Sequence, residues 1–260
     1  MVDDLKAAQS LFQASISLQI LKESLQRRRF LVYVQCSSQY SRVELLSPNR
    51  NFDVMLNYYD EVPPVIPSDT ELAVFQRGTK CTAIWKLLQC RPDLLKRYEY
   101  VLFLDDDIFV SAENIGRMFR EMAQDSIHLA QPCLSDDSPG AWPALKNRGL
   151  GGQLALVNAI EIMMPCLSRA AILEGGWVFE NSVSGYGVDL LLCSYLSRKS
   201  GFNSYLFGSI IARHERNIDQ TNGRFYKYLR ENGIDPLREL SLITSTYGLT
   251  AMFYRIYPSA

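Results

Sequence analysis

The segment YEYVLFLDDDIF, residues 98–109, limits the fold more than any other stretch. It is apolar at almost every position up to Leu104, then carries three consecutive carboxylates, Asp105, Asp106 and Asp107. A strand that is apolar at odd and even positions alike is buried on both faces. In soluble proteins that means a mostly parallel sheet flanked by helices. Ligands of such sheets bind outside the carboxyl ends of the strands. Three adjacent like charges beside a core are costly unless positive charge faces them.

The rest of the chain reads as α/β. FLVYVQC (30–36), FDVMLNYY (52–59) and ELAVFQ (71–76) are strands by their β-branched and aromatic content. Residues 79–98 have helical spacing with a break near Pro92, and 111–124 form a helix with Ser111 as N-cap. IHLAQPCL (127–134) is a strand, and 135–152, rich in Pro, Gly, Ser and Asp, is the longest loop and a candidate lid. NAIEIMMPCLS (158–168) reads as a strand, RAAILEGGWVFE as a helix and 189–199 as a buried helix. SYLFGSIIARH (204–214) is a final strand ending on His214. Two helical patterns follow, the second opened by Asp235 as N-cap and Pro236 at its first position.

Residues 3–26 read as one amphipathic helix, with Leu11, Ala14, Leu18, Leu21 and Leu25 on a stripe and QRRR at its end. Such a helix packs on its own domain, pairs with a second copy in a homodimer, or lies on a membrane surface. The domain expectation is therefore an N-terminal helix over 1–29, a catalytic domain over 30–216, and a helical C-terminal extension over 217–260 packed on the same domain. The net charge of −1 leaves no global field to attract nucleic acid. No signal peptide or 18-residue apolar run is evident, so the expected location is cytoplasmic, with the inner membrane face as the peripheral alternative. The six cysteines have no CxxC spacing and read as buried reduced thiols.

In an extended chain Asp105 and Asp107 share a face and can hold Mg²⁺ or Mn²⁺, while Asp106 points elsewhere. The alternative is a solvated acidic turn that also caps the helix after it. His214 ends a parallel strand and can approach Asp107, or it is a structural hydrogen-bonder; imidazole favours Mn²⁺ over Mg²⁺. His128, between apolar residues, reads as packing. In SGYGVDLLL (184–192) two glycines precede a helix with Asp189 in its first turn. Asp189 is either a helix-dipole partner, whose pKa the dipole would lower, or a general base for an acceptor hydroxyl.

NFDVMLNYYD, TK before a long helix, YEYVLFLDDDI, LAQPCLS, EIMMPCLSRAA, SGYGVDLLL and a late histidine, in this order, resemble the family catalogued as domain of unknown function 707. That family is similar to metal-dependent glycosyltransferases of the GT-A fold. The resemblance implies a GT-A-like, Rossmann-like mixed and mostly parallel sheet, with the N-terminal helix and helical tail outside it. It implies a nucleotide-sugar donor, a glycan or glycolipid acceptor and a divalent cofactor. The acidic triplet, Asp106 included, lies on the nucleotide-sugar side, with Asp105, Asp107 and His214 at the metal. Asp60, Thr79 and Lys80 match donor-binding positions, Lys80 reaching base or phosphate. Tyr186 stands where the family usually has Trp and stacks on a sugar. Asp189 matches the base of an inverting displacement, and Glu161 a carboxylate that binds the acceptor or rivals Asp189. The implied process is glycan or surface-polysaccharide synthesis. Two other classes remain: a catalytically silent carbohydrate-binding protein on the same fold, and a phosphohydrolase using its DxD aspartate as nucleophile.

Overall fold

The computed structural model describes residues 2–256 apart from 26, 41–42, 64 and 140–141. Gln26 of the basic run and residues 140–141 of the long loop thus lie outside the described residues. In chain order the elements are α1 (Val2–Ser15), β1 (Gln19–Glu23), β2 (Phe30–Cys36), β3 (Phe52–Tyr58), β4 (Leu72–Phe75), α2 (Lys80–Cys90), α3 (Asp93–Lys96), β5 (Tyr100–Asp105) and β6 (Ile108–Phe109). Then come α4 (Ala112–Gln124), β7 (Leu129–Leu134), β8 (Leu154–Val157), β9 (Cys166–Ser168), α5 (Arg169–Gly175), α6 (Val188–Ser200), β10 (Ser204–His214), α7 (Arg224–Glu231), α8 (Pro236–Tyr247) and β11 (Arg255–Ile256).

One mixed sheet runs β1-β4-β3-β2-β5-β9-β7-β10-β8-β11. β4, β3, β2 and β5 are parallel neighbours, as are β7 and β10. β2 and β3 are buried at every position, as strands covered on both faces must be. Helix α4 shows how the cover is made. Ser111 caps it by accepting from the amide of Asn114 at 3.2 Å, and Ile115, Met118, Phe119 and Met122 recur at helical spacing to face the sheet. The Phe119 ring stacks on Phe30 at 4.9 Å. Truncating it to Ala would cost about 3–5 kcal/mol.

Two features of the sheet position the site. β9 is only three residues long and lies antiparallel between β5 and β7, covering Tyr100 to Leu102. The chain before β9 therefore runs beside the last half of β5 without regular pairing. Phe103 N donates to Pro165 O at 2.9 Å, and Asp105 N to Met163 O at 3.0 Å. The strand expected over 158–168 is thus a strand only over Cys166–Ser168, because this irregular stretch carries Glu161 to the end of β5. Second, β10 runs past its partner β7 and pairs antiparallel with β6, His214 opposite Ile108. The two-residue β6 follows Asp107 directly, so the pairing brings Asp107 to His214.

The N-terminal expectation needs correction. Helix α1 stops at Ser15, and Gln19–Glu23 joins the sheet edge, antiparallel to β4. The open hydrogen-bonding edge of β4 outcompetes helix continuation. Leu5, Gln9, Phe12 and Ile16 form the buried face, whereas Leu11 is 73% and Leu25 91% exposed. The continuous stripe on which the membrane and dimer readings rested is not formed. Phe12 and Ile16 pack on Val183, Leu229 and Ile234 of the same chain. No helix among the described residues is long and apolar enough to cross a membrane. β8, just beyond the 135–152 loop, is a strand paired with β10. Five cysteines are buried, while Cys90 is exposed. His128 stacks on Phe202 at 3.8 Å.

Candidate active site

The three carboxylates after β5 face three different partners. Asp105 Oδ1 lies 3.0 Å from Lys80 Nζ. That ammonium also donates to the carbonyls of Phe103, Ile162 and Met163 at 2.8 to 3.0 Å. Lys80 is the first residue of α2, so its side chain enters from beneath the strand end. Burial pushes the Asp105 carboxyl up to about 6, against the pull of Lys80. Burial also lowers Lys80, with Asp105 opposing. Lys80, expected at base or phosphate, is instead fully occupied beneath the site. Its acceptors come from β5 and from the irregular segment before β9, which sequence proximity does not reveal.

Asp107 turns the other way. Its Oδ2 lies 3.4 Å from His214 Nε2. Although burial acts against it, the imidazole holds Asp107 below the usual carboxylate range, and Asp107 raises His214 in return. His214 Nδ1 lies 3.1 Å from Pro139 O, and since a carbonyl only accepts, Nδ1 carries the proton. Nε2 is thereby turned toward the Asp107 carboxylate, where it carries either a proton donated to Oδ2 or, once that proton is lost, a lone pair free for an ion. An imidazole oriented by a backbone carbonyl beside a carboxylate is the usual arrangement of a metal ligand pair. Two ligands of one octahedral ion stand about 3 Å apart, so the pair fits a divalent cation. Among the described residues no three His, Cys, Asp or Glu side chains converge at metal distance. Asp105, held by Lys80, does not close a three-ligand cluster with Asp107 and His214.

Asp105 and Asp107, expected to converge, thus have separate partners, and Asp106 has a third set beside the ends of β2 and β3. It accepts from Ser37 N at 3.3 Å and Tyr59 OH at 3.4 Å, and Arg216 lies 3.5 Å away. Beside it a polar cavity of about 290 Å³ is lined by Ser37, Gln39, Asp60, Glu61, Arg77 and Arg224. Asp60 shapes its wall by accepting from Ser38 N at 2.7 Å. Of these lining residues the sequence singles out only Asp60. Arg77 and Arg224 lie in unrelated segments and carry no motif signal.

Glu161 and Asp189 are both buried, and Glu161 lies close enough to Asp105 and His214 to feel their charge. Burial, and then the neighbouring Asp189, pushes Glu161 up to about 8; its Oε2 has no hydrogen-bond partner. Burial pushes Asp189 up to about 7, opposed by the amides of Leu190 and Ile162. The dipole effect expected at Asp189 is overridden by desolvation. The turn before it holds Gly185 and Gly187 at positive φ, and Tyr186 pairs its hydroxyl with Tyr226 OH at 2.8 Å. Thr79, expected at the donor, caps α2 and donates to Val183 O. The 135–152 loop is pinned to this site: Ser138 Oγ accepts from His214 N, and Lys146 Nζ bridges the carbonyls of Asp136 and Ser138.

No family model matches the chain, and no curated protein matches it in sequence. The resemblance to domain of unknown function 707 thus has no family match behind it. Among solved structures, the chain is similar to GalNAc-T7 with UDP, GalNAc and Mn²⁺, with a TM-score of 0.55 and 11% identity over 94% of this chain. It spans 56% of the GalNAc-T7 chain. S. aureus TarS 1–349 in complex with UDP-GlcNAc aligns at a TM-score of 0.48 and 10% identity, over 84% of this chain and 73% of that one. With the sheet order above, the GalNAc-T7 likeness establishes the architecture: a mixed, mostly parallel sheet flanked by helices, in the GT-A-like fold.

Proposed function

We propose that the chain is a metal-dependent glycosyltransferase that moves a sugar from a nucleoside-diphosphate donor to an acceptor hydroxyl with inversion. The observation that carries this reading is the Asp107–His214 pair at the strand ends, near a polar cleft and the buried carboxyl of Glu161. The GalNAc-T7 structure of the same fold holds UDP, GalNAc and Mn²⁺, which supports a nucleotide-sugar donor. Asp107 and His214 would hold the ion, Mn²⁺ favoured over Mg²⁺ by the imidazole. When bound, that ion neutralises charge developing on the departing diphosphate.

The protein's own groups do the rest. The cleft from Ser37 to Glu61 takes the nucleoside, with Arg77 and Arg224 supplying the charge that meets base and phosphate oxygens. Lys80 holds Asp105 and the turn beneath the donor. Tyr186 offers a ring face to the sugar. Asp189, near neutrality in its pKa, takes the acceptor proton as its oxygen attacks the anomeric carbon. Glu161, protonated at pH 7, donates a hydrogen bond from its unpartnered side to a sugar or acceptor hydroxyl. The acceptor is a glycan or glycolipid in polysaccharide synthesis.

The test is incubation with UDP-, GDP- and dTDP-linked hexoses and Mn²⁺, with and without oligosaccharide acceptors. Release of nucleoside diphosphate supports transfer. Phosphate release from simple monoesters would replace the reading with a phosphohydrolase. Glycan binding with no turnover of any donor would replace it with a binding protein.

A further inference from the structure

Glu239, on α8, is fully buried, at 0% exposure, yet no cation pairs with it among the described residues. Its carboxylate instead receives four neutral donors. Oε1 accepts from Gln9 Nε2 at 2.7 Å and from Val183 N at 2.8 Å. Oε2 accepts from Ser182 Oγ at 2.7 Å and from Ser184 N at 2.8 Å. A buried carboxylate is tolerable only when its lone pairs are met in this way. Three of the four donors belong to one short stretch, residues 182–184, immediately before the Gly185-Tyr186-Gly187 turn that leads into Asp189.

The same helix backs that turn by contact. A Cβ on Gly187 would stand 3.3 Å from Ile243 and Leu240 of α8. Ser182 Oγ, held by Glu239, accepts in turn from Gly185 N at 2.9 Å. Ser184 Oγ accepts from Tyr186 N at 3.2 Å. Through Ser182 and Ser184 these bonds connect the carboxylate of Glu239 to Gly185 and Tyr186, the residues just before Asp189.

We propose that Glu239 is a positioning residue: it sets the 182–187 turn, and through it the Tyr186 ring and the Asp189 carboxylate. The C-terminal extension is then a working part of the site. The catalytic half of this inference rests on the glycosyl-transfer reading; the conformational half does not.

Glu239→Gln separates the two halves. Each carboxylate oxygen accepts from one backbone amide that can only donate, so whichever oxygen becomes NH₂ loses Val183 N or Ser184 N and forces Gln9 or Ser182 to reorient. Hydrogen exchange in the full-length variant is expected to rise at least tenfold across 182–187, with β2 and β5 unchanged. With whichever of the UDP-, GDP- or dTDP-hexoses the wild type turns over, kcat is expected to fall at least tenfold and donor KM to stay within threefold. Unchanged exchange, or exchange raised equally everywhere, overturns the proposal. So does local loosening with kcat intact. If Glu239→Gln does not fold, Ser182→Ala and Gln9→Ala each remove one donor and should raise exchange in the turn two- to threefold; no local rise in either overturns it. Should the wild type turn over no donor, the transfer reading fails, and exchange in the turn still decides whether Glu239 sets it.

Discussion

Lys80 Nζ stands 3.0 Å from Asp105 Oδ1 while three backbone carbonyls complete its shell, so the first carboxylate of the acidic triplet is neutralised from beneath rather than by ligand. Removing the buried ammonium leaves a half-buried carboxylate and three carbonyls without their donor. Lys80→Met should therefore destabilise by about 3–5 kcal/mol. Adding Asp105→Asn should recover part of that loss. Urea unfolding of the single and double variants measures both; a loss under about 1 kcal/mol in Lys80→Met would show that the pair is not a structural anchor.

Glu161 gives a signed dependence on pH. Its carboxyl stands near 4.5 when unexposed to the fold and at about 8 inside it. Between those values the folded chain holds a proton that the unfolded chain has lost, so stability falls as pH rises through that window. Its favourable contribution is complete below the lower value and gone above the upper. Glu161→Gln cannot ionise, so its melting temperature relative to wild type should be unchanged near pH 4 and rise by several degrees at pH 9. Calorimetric scans across that range check it, and parallel curves for the two proteins would contradict it.

Asp189 is raised in the same direction, from 3.8 to about 7. As a base it works ionised, so kcat should climb with pH and level off above about 7. Asp189→Asn should lower kcat by about 10²- to 10⁴-fold and remove that inflection. A pH–rate profile that keeps its acid limb in Asp189→Asn would assign the limb to another group.

Gly187 carries φ of 84°, and its missing side chain leaves room for Ile243 and Leu240. Gly187→Ala meets both penalties, the left-handed conformation alone costing about 1–2 kcal/mol. Reduced stability with a disproportionate loss of kcat is expected in thermal melts run beside rate measurements.

The parts of this fold that are legible in the sequence are those specified locally. The apolar run into Asp105 marks a central strand, Ser111 and the Asp235–Pro236 pair mark helix starts, and residues 204–214 mark the strand ending at His214. The parts that escape depend on partners far along the chain. β1 and β9 are five and three residues long and exist because β4, β5 and β7 offer them hydrogen bonds. Glu239 sits four residues after an N-cap, where an acid ordinarily reads as a solvated dipole partner. Its donors on Gln9, Ser182, Val183 and Ser184, all more than fifty residues away, are what make it a buried group. At Asp106 the alternation rule turns the side chain away, but Ser37 and Tyr59 draw it toward the cleft.

On the proposed function, Asp107 and His214, beside the Arg77–Arg224 cleft, bind a divalent ion and a nucleoside diphosphate together. The most direct measurement of that joint binding is calorimetric titration of UDP and of GDP, each with Mn²⁺, with EDTA, and against Asp107→Ala. The account predicts binding of at least one nucleotide with Mn²⁺, weakened at least tenfold by EDTA and by the substitution. Equal affinity with Mn²⁺ and EDTA, or undiminished Mn²⁺-dependent binding in Asp107→Ala, would contradict it.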